Sequence, residues 1–200
     1  MADVAGGAAA RRGNRRQQIL DAAASLVAER GYHDVGMADI GAAAGVTGPA
    51  IYRHFEGKSA VLVTMFDRVI EDLSAEALEI AAHQRDPGAA LAALVATQVR
   101  FVLRDRTLAQ VYHNEIANLP AEDRNRLRRK QRLYIEEWVH ILGLLRTPRT
   151  DVELRIYVHA AIGAVQSVLF FHSGLPDEQL AELLSGVAHS ALFAEPAVRR

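Results

Sequence analysis

The residues with the clearest capacity for chemistry lie in one short stretch, GVTGPAIYRHF, at positions 45–55. Within it, Thr47, Tyr52, Arg53 and His54 carry side chains that can donate hydrogen bonds. Such groups bind phosphate oxygens, and an arginine guanidinium can also bind the edge of guanine through two parallel hydrogen bonds. The stretch therefore predicts a short element that presents several hydrogen-bond donors to one partner.

The neighbouring residues predict two short helices joined by a tight turn. The segment 37–44 places its apolar residues on one face, and Gly45 ends it. Thr47 is suited to cap a second helix, and Pro49 falls in its first turn, where a missing N–H costs little. This is the helix-turn-helix layout, in which the second helix enters the major groove of DNA.

Composition limits the class of protein and the kinds of site that the chain can contain. The chain has 200 residues, half of them hydrophobic, with a formal net charge of −1 and no cysteine. A basic signature of the whole protein is absent, so any interaction with nucleic acid depends on local charge. Disulfides, zinc–thiolate sites and thiol nucleophiles are excluded. The longest apolar run, residues 160–171, is shorter than a bilayer requires and is interrupted by Gln166 and Ser167. We therefore expect a cytoplasmic protein with no membrane partner.

Helical periodicity continues along the rest of the chain. We find no alternating strand pattern of useful length, so the sequence predicts an all-α fold of about nine helices. The first three helices are short, and the later ones are longer and more apolar. This change predicts a domain boundary near residue 57.

Residues 29–62, ERGYHDVGMADIGAAAGVTGPAIYRHFEGKSAVL, resemble the N-terminal DNA-binding region of the TetR family of transcriptional regulators. The matching features are Gly31-Tyr32, Asp39-Ile40, Ala44-Gly45-Val46, Tyr52, Phe55 and Lys58. The resemblance implies four segments: a disordered basic arm (1–13), a helix-turn-helix domain (14–57), a ligand-binding and dimerisation domain (58–194) and a flexible tail (195–200).

The resemblance also implies roles for individual residues. Contacts with DNA phosphates are expected from Thr47, Tyr52, His54 and Lys58, and the positions available for base contacts are Gly48, Pro49, Ala50 and Arg53. Two positions depart from the family's pattern. Gly36 stands where many members cap the second helix with Ser or Thr, and Gly48 stands where many have Lys or Arg. Base readout is therefore expected to depend on Arg53, on close approach of the backbone at Gly48, or on the N-terminal arm.

Four arginines precede or open the first helix: Arg11, Arg12, Arg15 and Arg16. N-terminal arms of related motifs follow phosphates or enter the minor groove, and Arg15 is expected to contact DNA. The alternative is a solvated tail that contributes only solubility.

The last two long helices are the predicted dimer interface. One helix-turn-helix covers little DNA, whereas a two-fold dimer reads two half-sites of a palindromic operator. Small residues at 160–164 allow close approach of helices, and the final helix, 177–193, has a wide apolar face. The alternative is that both helices are buried within one subunit.

The larger domain carries polar and aromatic residues among apolar neighbours. Each is either paired within the protein or available to a ligand, since a buried polar group without a partner is costly. The candidates for an effector pocket are Phe101, Tyr112, Asn114, Tyr134, Trp138 and Gln166.

The basic segment 124–132 is either a solvated helix start or a mouth that attracts a phosphorylated ligand. Residues 123–142 resemble the equivalent stretch of regulators of lipid and steroid catabolism, some of which respond to coenzyme A thioesters. An acyl-CoA or another lipid-like molecule is therefore a candidate effector.

Other function classes find less support. The chain has no glycine-rich phosphate loop and no nucleophile elbow, and only the pair Glu137 and His140 has the spacing of a di-metal carboxylate site. We predict no catalytic residue, no metal and no cofactor. The sequence thus favours a ligand-responsive repressor that binds operator DNA as a dimer and is released by a small effector. The alternative is a helical ligand-binding or scaffold protein that does not bind DNA.

Overall fold

The computed structural model describes the backbone of residues 3–145 and 148–195, and the side chains of residues 13–145 and 148–195. Within those ranges it has nine α-helices, two short 3₁₀ helices and no strand, which confirms the predicted all-α class. The α-helices are α1 (Asp3–Arg30), α2 (Met37–Ala43), α3 (Gly48–Ile51), α4 (Lys58–His83), α5 (Pro87–Arg104), α6 (Arg106–Glu115), α7 (Ala121–Gly143), α8 (Asp151–Gln166) and α9 (Asp177–Phe193). The 3₁₀ helices are Ile116–Asn118 and Ser167–Phe170.

Local sequence signals explain where several helices begin and end. Gly31 follows α1 with φ of +81°, a conformation that favours glycine, and its N–H donates to the carbonyl of Val27 at 2.8 Å. The Asp86 carboxylate accepts a 2.8 Å hydrogen bond from the third residue of α5. At the start of α8, Thr150 and Glu153 form a reciprocal capping box.

The first helix is longer than the sequence predicted. It begins at Asp3, so it includes most of the segment 1–13 that we expected to be disordered. Alanine and arginine at positions 8–12 have high helix propensity and no proline interrupts them, which explains the extension. The predicted flexible tail lies outside the described residues from position 196 onward.

The chain divides into two compact units. The first contains Met1–Arg68 together with Gln110–Asn125, and the second contains Val69–Ala109 together with Arg126–Arg200. The first unit thus includes the opening turns of α4 and a segment from the middle of the chain, in addition to the residues that we assigned to the DNA-binding domain.

Apolar side chains from separate helices fill the core of the first unit. Ile19, Ile40, Ile51 and Phe66 are each fully buried. Gly41 allows α2 to pack closely, because a Cβ atom there would lie 3.1 Å from the carbonyl oxygen of the turn residue Val46. The close approach of the two short helices therefore depends on glycine at this position.

The second unit has its own core, to which all six helices from α4 to α9 contribute. Leu91 of α5, Trp138 of α7, Val158 of α8 and Leu192 of α9 are all at most 1% exposed. α8 packs along α9, and α5 packs against both. This bundle buries most of the large apolar residues that the sequence places after position 69.

The segment Asp151–Phe170 is long and apolar enough to cross a membrane by length and composition alone. Polar residues interrupt this segment, so no uninterrupted apolar run in the sequence predicts it. A core helix of a soluble protein meets the same criterion, and α8 is packed against α5 and α9. One third of the segment is buried, and its remaining apolar residues form part of a surface described below.

Candidate DNA interface and ligand-binding region

The helix-turn-helix predicted from positions 37–55 is present. Gly45 occupies the turn with φ of +64°, and the N–H of Val46 donates to the carbonyl of Gly41 at 2.8 Å. Thr47 stands at the N-cap of α3 with extended backbone, as predicted, but its side chain makes no capping hydrogen bond. The Thr47 hydroxyl is therefore not committed to the cap.

The second helix of the motif is very short. α3 is a single turn, and hydrogen bonds from the N–H groups of His54 and Phe55 to the carbonyl of Ile51 continue it as a tight turn. Ile51 is fully buried and Phe55 is 4% exposed, so the two apolar residues anchor the segment in the core. The other side chains of the segment are left outside.

Most of the predicted DNA-contact positions in this segment are exposed. Tyr52 is 58% exposed, which is unusual for so large an aromatic side chain. The other exposed positions are Thr47, Gly48, Pro49 and Arg53, and the half-buried ones are Ala50 and His54. Together they form one surface, here called the recognition surface (residues 47–50 and 52–54).

The start of α2 shows how the chain compensates for the missing cap residue. Gly36 has no side chain to cap the helix, as noted from the sequence. The Asp39 carboxylate instead accepts a hydrogen bond from the backbone N–H of Gly36 at 2.8 Å. One orphan group at the helix start is thereby satisfied, and the carboxylate lies where the helix dipole favours a negative charge.

The two described arginines of the predicted arm bind within the first unit. Arg15 is exposed and donates to the carbonyl of Ala44, at the end of α2, over 3.4 Å. The guanidinium of Arg16 lies 4.6 Å from the ring centroid of Phe55 and donates to Thr64. Arg16 therefore packs on the buried residue Phe55 and Arg15 contacts the end of α2, while both side chains remain exposed.

Lys58, from which a phosphate contact is expected, makes contacts within the first unit. It is the first residue of α4, and its ammonium donates to the carbonyl of Tyr32 and, over 3.5 Å, to that of His33. The same ammonium lies 4.2 Å from the centroid of the Tyr32 ring. Most of its bonding capacity is thus used inside the protein.

In the second unit, two of the predicted ligand residues form a buried cluster with Gln98. The Tyr134 hydroxyl donates to the Gln98 side-chain oxygen at 2.8 Å, and the Tyr134 and Trp138 rings meet edge to face at 6.1 Å. Burial raises the pKa of the Tyr134 hydroxyl, and the nearby Trp138 N–H opposes that rise. This N–H points towards the hydroxyl without completing a hydrogen bond.

The other ligand candidates are not brought into this cluster. Phe101 and Gln166 are half-buried in the second unit. Tyr112 belongs to the first unit, where its ring packs edge to face on Phe66 at 4.9 Å, and Asn114 is exposed. Gln98 was visible in the sequence as a polar residue within an apolar helix, and its position supplies the acceptor for Tyr134.

An open groove of about 520 Å³ lies between α4 and α5 in the second unit. Its polar residues largely satisfy one another, since Arg100 pairs with Glu76 and the Thr97 hydroxyl donates to the same carboxylate at 3.2 Å. The groove does not contain any of the six ligand candidates.

The outer sides of α8 and α9 form an exposed apolar surface, here called the α8–α9 face. Val152 and Ile156 are 65% and 61% exposed, and Leu183 and Val187 are each 55% exposed. In both pairs the residues are four apart, so they lie on one side of their helix. Apolar surface of this extent is unusual on an isolated subunit and indicates a contact surface.

The basic segment at the start of α7 is also largely exposed. Arg128, Arg129 and Arg132 are exposed and Leu133 is 64% exposed, whereas Lys130 pairs with Glu71 at 2.6 Å. Among the described residues no group of three or more His, Asp or Glu side chains could hold a metal ion.

The fold and the recognition surface define a helix-turn-helix DNA-binding regulator with a separate helical core. Two family models match successive parts of the chain. Residues 19–65 match the bacterial regulatory proteins of the tetR family, and residues 84–169 match the tetracyclin repressor-like C-terminal domain. The chain belongs to the TetR family of transcriptional regulators. Members of this family are DNA-binding proteins rather than enzymes.

Comparison with individual proteins agrees with this assignment. The chain is 34% identical over 110 residues to the HTH-type transcriptional repressor KstR2 of Rhodococcus jostii, a match that covers 55% of this chain and 54% of that protein. The structure of AibR in complex with isovaleryl coenzyme A and operator DNA is similar with a TM-score of 0.74 at 22% identity, covering 86% of this chain and 96% of that one. FadR of Bacillus subtilis in complex with stearoyl-CoA gives 0.72 at 21% identity, covering 88% and 98%.

Proposed function

We propose that the protein is a ligand-responsive repressor, acting in the cytoplasm, that binds palindromic operator DNA as a homodimer and is released by an acyl-CoA or similar lipid-like effector. The observation that carries the proposal is the recognition surface. It presents exposed polar side chains, while Ile51 and Phe55 of the same segment are buried in the core. A rigid scaffold that presents hydrogen-bond donors in this way suits a groove lined with phosphates.

Within this surface the proposed phosphate contacts are Thr47, Tyr52 and His54, with Arg15 beside the end of α2. Arg53 is the one long cationic side chain in the segment and is the proposed reader of a base edge. Gly48 and Ala50 offer little to hydrogen-bond with bases, so they allow close approach of the backbone to the groove. Sequence preference should therefore be concentrated at the base pair that Arg53 contacts.

The proposed dimer forms through the α8–α9 face. Four large apolar side chains are exposed there, and Gly163 and Gly186 leave space beside them, because a Cβ atom at either would meet nothing within 4 Å. Two copies related by a two-fold axis would bury these side chains in a four-helix bundle. The same burial accounts for the apolar character of the segment Asp151–Phe170.

The effector proposal has two supports. Related solved structures hold isovaleryl coenzyme A and stearoyl-CoA, and the first of them also holds operator DNA. In this chain Arg128, Arg129 and Arg132 are exposed cations able to attract the phosphates of coenzyme A. The buried aromatic cluster of Tyr134 and Trp138 is the proposed apolar region next to the acyl group.

The test of the DNA proposal is fluorescence anisotropy with the DNA that flanks the protein's own gene. Wild-type protein should bind it specifically, and Arg53→Ala should weaken binding by about 1–3 kcal/mol and relax preference at one base position. Glu122→Ala, an exposed change outside the recognition surface, is the control. Binding that ignores DNA sequence, or that survives Arg53→Ala unchanged, would remove the proposal.

A further inference from the structure

The mid-chain segment Gln110–Asn125 is packed as part of the first unit. Val111 and Leu119 are 2% and 3% exposed, and the ring of Tyr112 packs on the buried Phe66. Arg124 donates to the carbonyl of Ala117 at 3.0 Å and thereby holds the 3₁₀ turn that follows α6. The segment is therefore a structural component of the unit that carries the recognition surface.

Within this segment Glu115 has an unusual position for a carboxylate. It is 9% exposed, at the last position of α6. One carboxylate oxygen accepts the backbone N–H of Tyr32 at 3.3 Å, and the other accepts the Asn118 side-chain amide at 2.6 Å. A buried carboxylate requires such partners, and here one of them is a backbone group 83 positions away along the chain.

Tyr32 is also held by the first two residues of α4. Lys58 donates to the carbonyl of Tyr32, and its ammonium lies over the Tyr32 ring at 4.2 Å. The Tyr32 hydroxyl also lies 3.0 Å from that of Ser59. The N–H, the carbonyl, the ring and the hydroxyl of this one residue are thus all engaged.

The contacts of Tyr32 matter for DNA binding because of where this residue lies. It lies in the connection between α1 and α2, five residues before α2 begins at Met37. Because α2 packs closely on the turn before α3 at Gly41, the placement of this connection limits where the recognition surface can lie.

We propose that Glu115 and Lys58 are positioning residues for DNA binding, which clamp Tyr32 between the 110–125 segment and the start of α4. Lys58 acts through Tyr32 and not as a ligand of a DNA phosphate. The proposal rests on the proposed DNA-binding function, but it concerns contacts that can also be measured in the free protein.

Salt dependence distinguishes a positioning lysine from a phosphate ligand. Each phosphate contact that is lost reduces the slope of log affinity against log salt by about 0.9. Lys58→Met leaves the carbonyl of Tyr32 without its donor, so it should weaken binding of the flanking DNA about 10-fold. The slope of log affinity against log salt should stay unchanged. Arg15→Gln removes the cation that is proposed to contact a phosphate and should lower the slope by about 0.9. A slope reduced by about 0.9 for Lys58→Met would overturn the role assigned to Lys58.

Glu115 is tested by a graded pair of substitutions. Glu115→Ala removes both acceptors and should weaken DNA binding about 10-fold at unchanged slope. Glu115→Gln keeps one acceptor for the Tyr32 N–H and should recover most of that loss. Glu122→Ala, from the same segment, should bind like wild type. Wild-type affinity for Glu115→Ala would overturn the clamp, as would equal losses for the Ala and Gln variants.

Amide hydrogen exchange separates failure of the clamp from failure of the DNA proposal. In the free protein, Glu115→Ala should speed exchange at the Tyr32 N–H about 10-fold, whereas Glu115→Gln should leave most of the protection. If wild-type protein binds no DNA but exchange responds in this way, the clamp stands and the DNA proposal fails. Unchanged exchange at Tyr32 in Glu115→Ala would overturn the clamp whatever the DNA measurement gives.

Discussion

The buried pair of Gln98 and Tyr134 allows a quantitative test of whether this cluster is satisfied by the protein itself. Gln98 is 2% exposed and Tyr134 is 6% exposed, and their 2.8 Å hydrogen bond joins α5 to α7. Tyr134→Phe leaves the Gln98 oxygen buried without this donor, which costs about 1–3 kcal/mol of unfolding free energy. Gln98→Met, which keeps the length of the side chain, deprives the Tyr134 hydroxyl of its acceptor at a similar cost.

The double variant should be less destabilised than the sum of the two single variants. Replacing both members of a buried hydrogen bond with apolar groups of similar shape is nearly neutral, so the coupling between the sites should approach the sum of the two single costs, about 2–6 kcal/mol. Urea unfolding followed by circular dichroism measures all four proteins. Tyr157→Phe, the same chemical change at a half-buried tyrosine packed on Arg149, should change stability by less than about 0.5 kcal/mol.

Additive single effects would refute this reasoning. They would mean that the hydroxyl and the amide do not contact each other in solution. The two groups would then be available to an effector, which should stabilise the wild-type protein and not the double variant.

Three further predictions follow from other parts of the structure. Gly41→Val should destabilise the protein by about 1–3 kcal/mol in urea unfolding and weaken DNA binding, because its side chain would meet the carbonyl of the turn at 3.1 Å; wild-type values would contradict the close packing. Leu183→Glu on the α8–α9 face should give a folded monomer by sedimentation, whereas Leu133→Glu on α7, at a somewhat more exposed leucine, should leave the dimer intact. The opposite pattern would place the interface on α7. Burial raises the pKa of Tyr134 above the ordinary value of about 10, so the unfolded state loses this proton at a lower pH than the native state does. The free energy of unfolding should therefore fall above about pH 10, and Tyr134→Phe should reduce that fall.

The helix-turn-helix could be predicted because its determinants are local. Gly45, Thr47 and Pro49 each act on the few residues beside them, through a left-handed turn, an N-cap and a first helical turn. The helical spacing of apolar residues likewise predicted the last helix, with the same bounds as in the structure, Asp177–Phe193. The length of α1 was missed because propensity near its start outweighed the lack of an apolar pattern.

Contacts between distant positions could not be predicted in this way. No local pattern indicates that Glu115 accepts a hydrogen bond from Tyr32, or that Lys58 is used by two carbonyls. Both residues are charged types that are usually solvated, and the phosphate contact expected of Lys58 came from the family resemblance. The grouping of 110–125 with the first unit depends on packing of Tyr112 on Phe66, which two separate helices bring together.

Under the proposed function, binding of an acyl-CoA to the protein releases it from operator DNA. The most direct measurement is fluorescence anisotropy with the labelled flanking DNA and a scrambled duplex, followed by titration with stearoyl-CoA, free stearate and coenzyme A. The proposed function predicts binding to the flanking DNA about 10³-fold tighter than to the scrambled duplex, and release by an acyl-CoA at a concentration that leaves non-specific binding unchanged. Equal affinity for both duplexes would contradict the DNA assignment, and specific binding unaffected by any of the three ligands would contradict the effector class.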